Sequence, residues 1–194
     1  MGWSWLRPKA DWHSMSSQQL LARYVEKREP AVLSVLFDRY GDALYRYLLR
    51  SSEPALAADI SQQAWLRVME LGEQFAGHSQ FKTWLFSIAR HLLVDEFRKI
   101  NRHDWLDDAD TLCSDQPAIE QQLIARKLDD AVSMAIQALP VLQREALLLQ
   151  LEGFNVSDIA RICRVGEETA KSRLRYARDA LKQQLGDWHD QANG

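Results

Sequence analysis

Apolar residues recur at intervals of three and four along nearly the whole chain, and nowhere do they alternate convincingly with polar ones. That spacing suits helices with one buried face and argues against sheets. Glycine and proline, the usual helix breakers, number only 8 and 5. The pattern predicts an all-α protein, with helices at about residues 17–28, 30–51, 55–71, 81–101, 118–138, 141–152, 156–163 and 167–185. Pro30 and Pro54 fall in first turns, where a missing N–H is tolerated.

A chain of 194 residues fits one large or two small domains, and charge favours two. Overall there are 24 Lys/Arg against 27 Asp/Glu, so any affinity for nucleic acid must come from local clustering. Residues 104–122 hold five Asp and one Glu and no Lys or Arg. Residues 81–103 and 153–185 each carry a net +3. Two basic helical modules joined by an acidic linker follow: an extension at 1–15, a first domain at 16–103, the linker at 104–122, a second domain at 123–185 and a tail at 186–194.

Several classes are disfavoured. Cys113 and Cys163 stand 50 positions apart without a Cys-x-x-Cys or Cys/His cluster, so neither a disulfide framework nor a zinc site is expected, and a reducing cytosol is. No apolar run approaches the roughly 18 residues of a membrane span, and MGWSWLRPKADWH lacks the apolar core of an export signal. The five histidines form no metal-ligand spacing, no glycine-rich phosphate loop is present, and Ser172 has no basic partner suited to activating it. No enzyme, cofactor or metal is expected.

In GFNVSDIARICRVGEETAKSRLRYARDAL, residues 153–181, Asn155 can cap a short helix, and a second helix follows after Arg164–Val165–Gly166. Ile159, Ile162, Val165, Ala170, Leu174, Ala177 and Leu181 supply apolar contacts, and the small Ala160 lets the two helices cross closely. This is a helix-turn-helix pattern, whose second helix enters the major groove. Lys171, Arg175 and Arg178 form a stripe roughly 90° from the apolar one. Thr169, Ser172 and Arg173 lie between or beyond the stripes. Such a face can clamp phosphates and leave Lys171, Ser172 or Arg175 to meet base edges. The alternative is a solvated basic face, against which the short helix and tight turn weigh. Glu167 and Glu168 suit a helix N-terminus, which favours acids by about 0.3–1 kcal/mol. They also weaken phosphate docking there, unless one accepts a hydrogen bond from a cytosine amino group.

In FKTWLFSIARHLLVDEFRKINR, residues 81–102, Phe81, Leu85, Ile88 and Leu92 share one face and Phe86, Leu93 and Phe97 a second. The remaining stripe carries Thr83, Ser87, Arg90, His91, Arg98 and Arg102, flanked by Trp84. Rings beside cations suit single-stranded nucleic acid, because bases stack while cations hold the backbone. Trp84 and Phe81 fit a plain core equally well on pattern alone. The preceding FAGHSQF, residues 75–81, is a small-residue loop with room for an extruded base.

Five blocks carry a resemblance: SSQQLLARYVEK at 16–27, LFDRYGDALYRYL at 36–48, AADISQQAWLRVME at 57–70, FKTWLFSIARHLLVDEFRK at 81–99 and ALPVLQREALLLQLEGFNVSDIARICRVGEETAKSRLRYARDAL at 138–181. In this order the chain resembles a bacterial RNA polymerase sigma factor of the sigma-70 family, extracytoplasmic-function (ECF) subfamily, over about residues 16–185. The resemblance implies a region 2 that binds core polymerase and melts the promoter −10 element, and a region 4 that reads the −35 element. It places Asp59, Gln62 and Gln63 against the β′ clamp helices, with Gln63 replacing an acid usual there. His78, Ser79 and Phe81 would shape a pocket for a flipped base. Lys82, Trp84, Arg90, His91 and Arg98 would face the melted strand, His91 standing where Asn is common. Glu168, Thr169, Lys171, Ser172, Arg173, Arg175 and Arg178 would face −35 DNA.

The resemblance further implies a contact to the β flap, commonly an anti-sigma factor, a cytoplasmic location without membrane insertion, and no catalysis by this chain. The acidic linker would pass through the polymerase's nucleic-acid channel. Arg164 occupies the place of a turn glycine, which suggests a turn remodelled around Gly166. Residues 1–14 are either a Trp-rich arm for a partner or lie upstream of the native start. The competing readings are a stand-alone helix-turn-helix regulator, which leaves 57–102 unexplained, and an all-helical adaptor whose basic faces bind acidic proteins.

Overall fold

The computed structural model describes residues 12–75, 77, 79–100 and 132–192. Residues 1–11, Ala76, His78, 101–131 and 193–194 lie outside that description, and with them the acidic linker, Cys113, Arg102 and the start of the helix expected at 118–138. The chain divides into two compact units, Met1–Glu96 and Phe97–Gly194.

The first unit contains α1 (Ser17–Lys27), α2 (Pro30–Leu49), α3 (Pro54–Leu71), a 3-10 turn (Gly72–Gln74) and α4 (Phe81–Ile100) up to Glu96, where the division falls. A capping box starts α1: Ser16 Oγ accepts from the Gln19 N–H, and the Gln19 side chain accepts from the Ser16 N–H. Its end is the left-handed Arg28, whose N–H donates to Tyr24 O at 2.7 Å. Both α2 and α3 begin with proline, as their sequences anticipate. Helix α2 packs against α1 and α3. Leu20, Leu21, Val32, Leu36, Leu44, Leu48, Ile60, Val68, Leu85 and Phe86 are all within 1% of complete burial. Gly72 opens the 3-10 turn against α1, where a Cβ would lie 2.9 Å from Val25 Cγ2.

Upstream of α1, Arg39 donates to the main-chain oxygens of Trp12 and His13 and to Ser17 Oγ, and Ser17 pairs with Tyr40. Residues 12 and 13 are thereby tied to α2.

In the second unit residues 132–137 are helical, here α5. There follow α6 (Val141–Leu151), α7 (Val156–Cys163) and α8 (Glu167–Ala192). Helix α8 packs on α6 and α7. It continues past the expected end at 185 with Gly186 as an interior residue; a helical glycine costs only about 1 kcal/mol.

Candidate nucleic-acid interface

Local rules build the helix-turn-helix. Asn155 Oδ1 accepts from the Asp158 N–H at 2.9 Å and caps α7. Ile159, Ile162, Ala170, Leu174 and Ala177 are at most 2% exposed. Burying an Ile or Leu stabilises by about 1.5–3 kcal/mol, so these contacts hold α7 against α8. Ala160 is 5% exposed, its small side chain keeping the crossing close. The turn differs from expectation. Arg164 itself adopts the left-handed conformation, φ 55° and ψ 47°, and Gly166 is not left-handed. The Arg164 N–H donates to Arg161 O at 3.3 Å and the Val165 N–H to Ala160 O at 3.0 Å, together a Schellman closure. The geometry usual for glycine is thus kept by an arginine.

With α8 fixed in this way, Glu168, Thr169, Lys171, Arg175 and Arg178 are exposed, while Ser172 and Arg173 are half-buried. Lys171 Nζ lies 2.7 Å from Glu168 Oε1. That hydrogen bond, then the charge of Glu168, raise the lysine above its ordinary value against an opposing desolvation, with the charge of Glu167 adding least. Arg175 lies over the Tyr176 ring at 5.0 Å and donates to its hydroxyl at 3.3 Å. Arg178 donates to Gln150 Oε1 at 2.9 Å, bracing α8 on α6. Arg173 Nη1 is buried without a partner, which sets it apart from the exposed cations. Tyr176, 51% exposed, was not singled out in the sequence, although it interrupts the basic run.

In the first unit Phe81 is 1% exposed and sits among Tyr40, Trp65, Phe75 and Trp84, with ring centroids at 5.4, 6.3, 6.5 and 6.1 Å. Its ring therefore belongs to the core in this conformation. Trp84 is half-buried against Phe75 at 5.0 Å. Lys82 lies over the Phe86 ring at 5.8 Å. Arg90 is half-buried, His91 and Arg98 are exposed, and His91 Nε2 lies 3.2 Å from Asp95 Oδ2. Ser79 is half-buried beside the left-handed Gly77; His78 lies outside the described residues.

On α3, Gln63 Nε2 donates to Asp59 Oδ2 at 2.7 Å and so orients that carboxylate. Gln62 lines a groove of about 470 Å³ between α2 and α3, with Phe37, Tyr45, Trp65, Leu66 and Met69. Phe37 and Leu66 are half exposed, and Phe37 leans on Trp65 at 5.2 Å. The signal for this groove was present in AWLRVM, which has more apolar residues than one buried face can use.

A helical unit with an exposed apolar groove and a ring-and-cation helix, followed by a helix-turn-helix, defines a two-module nucleic-acid-binding protein of the transcription class. Sequence comparison agrees: residues 36–103 match the family model for Sigma-70 region 2, and residues 129–181 that for Sigma-70, region 4. The ECF RNA polymerase sigma factor SigC of Mycobacterium tuberculosis is 33% identical over 141 residues, covering 71% of this chain and 75% of that protein. ECF RNA polymerase sigma factor SigW of Bacillus subtilis is 26% identical over 178 residues, covering 85% and 95%. Among solved structures, the sigma factor RpoE of Bartonella quintana, in complex with the anti-sigma factor NepR, is 28% identical with a TM-score of 0.61, covering 77% of this chain and 94% of that one. The chain belongs to the sigma-70 family of RNA polymerase sigma factors, in its ECF group.

Among the described residues no helix is long and apolar enough to cross a membrane.

Proposed function

We propose that this chain binds core RNA polymerase in the cytoplasm, directs it to promoters and helps open the DNA, while the polymerase performs the chemistry without a cofactor from this subunit. The observation that carries the reading is the helix-turn-helix with its exposed Lys171 and Arg175, in a chain whose other unit matches region 2. A stand-alone regulator would leave that match without a role.

Residues 16–103 dock on the β′ clamp helices through Asp59, Gln62 and Gln63, and the neighbouring groove takes an apolar anchor from the polymerase. Residues 77–81 hold an extruded −10 base, with Phe81 acting through Trp84 as a positioning residue. Lys82, Trp84, Arg90, His91 and Arg98 line the path of the melted strand. Residues 123–185 contact the β flap and read the −35 element through α8. The 104–122 linker joins the two regions through the nucleic-acid channel. Holding both regions on one polymerase raises the effective concentration of each for its promoter element. An anti-sigma factor covering the same surfaces is the expected regulator, a reading supported by the NepR complex of the Bartonella protein.

Run-off transcription tests this. Core polymerase plus the full chain is expected to initiate on fragmented genomic DNA at a defined promoter class, and core alone is not. Sequence-specific DNA binding without polymerase, together with no capture of core, would refute it in favour of a stand-alone regulator.

A further inference from the structure

The first turns of α8 present a donor and an acceptor already joined. Lys171 Nζ and Glu168 Oε1 are 2.7 Å apart, with 54% and 87% of their side chains exposed. Neither belongs to the buried stripe of Ala170, Leu174 and Ala177. Phosphate is a poor partner here, since Glu167 and Glu168 oppose the positive helix end that would attract it. A base edge fits better.

We propose that the Glu168–Lys171 pair reads one C·G base pair of the −35 element, its carboxylate accepting from the cytosine N4 amino group and its ammonium donating to guanine O6 and N7. This rests on the promoter-reading role above and adds the base pair that the tip of α8 selects. The C·G edge offers a donor at one end and two adjacent acceptors beside it. The paired side chains are complementary in that order. On an A·T pair the amino donor lies between two acceptors, so the carboxylate on it would meet repulsion from both sides and the charge would face the thymine methyl. Reversing the pair to G·C puts acceptors against the carboxylate.

The test is run-off transcription by core polymerase carrying the full chain, on templates with a randomised −35 element, for the native protein, Glu168→Gln and Glu168→Ala. The native protein is expected to prefer cytosine at one position by about tenfold. Both variants are expected to lose most of that preference at that position alone, with the −10 profile unchanged. Melting temperatures are measured alongside, because partial unfolding lowers the yield from every template equally. An unchanged base profile with a lower melting temperature overturns the proposal and leaves Glu168 as a helix-end stabiliser. A general loss with no position singled out also overturns it. A native protein with no −35 dependence at all would refute the promoter reading itself, a result visible before any variant is compared.

Discussion

Replacing Arg164 with glycine is expected to stabilise the C-terminal unit by about 0.5–1 kcal/mol. Arg164 sits at φ 55°, where an L-residue pays roughly 1–2 kcal/mol against its Cβ. Glycine removes that strain but loses more chain entropy on folding, roughly 0.5–1 kcal/mol. The arginine side chain is exposed, so little packing is lost with it. The closure bonds from the Arg164 and Val165 amides are main-chain bonds that glycine preserves. For a domain of this size the gain corresponds to a rise of about 2–8 °C in melting temperature. Calorimetry of the full chain reads it, and exchange of the buried Ala170 and Leu174 amides assigns it to this unit. Gly166→Ser is the companion variant. Gly166 precedes α8 and is not left-handed, so serine is admitted and adds a side-chain oxygen for capping. Unchanged or lower stability in Arg164→Gly, with a clear loss in Gly166→Ser, would refute the reasoning, because it would move the left-handed turn to Gly166.

Asn155→Ala removes the oxygen that caps α7 and is expected to cost about 1 kcal/mol by denaturant titration. Phe81→Ala empties the centre of the ring cluster; unfolding experiments should show a loss of about 3–5 kcal/mol, confined to the first unit. Trp84→Ala, at a half-buried ring, should cost less stability and reduce promoter opening in a permanganate footprint. For Lys171 the raised pKa means that the folded state favours the charged amine, so the contribution of its pair with Glu168 is complete below the ordinary lysine range and fades only as pH rises through the raised value. NMR titration should show its Nζ deprotonating at lower pH in Glu168→Gln, and ionisation of Lys171 should give the native unit's stability no pH dependence through the neutral range.

The residues that were legible in the sequence are those whose roles depend on near neighbours. Pro30 and Pro54 announced two helix starts, Asn155 announced a cap, and Ala170, Leu174 and Ala177 announced the buried face of α8. Arg164 misled because intrinsic preference disfavours an arginine at positive φ, whereas burial of Ile159 and Ile162 on one side and Ala170 on the other constrains where the chain must turn. The end of α8 lies beyond the expected 185, since helix interiors tolerate a glycine such as Gly186 at modest cost. Phe81 shows a further limit. Its neighbours Tyr40 and Trp65 come from α2 and α3, so sequence spacing along α4 could not decide between a ring that stacks on bases and one that fills the core. The groove beside Gln62 escaped for the same reason, because an apolar surplus in α3 becomes a groove only where α2 leaves Phe37 and Tyr45 beside it. At the tip of α8 the charges were readable one by one, but their pairing was not: Glu168 is a helix-end acid by position, and only the side-chain geometry joins it to Lys171.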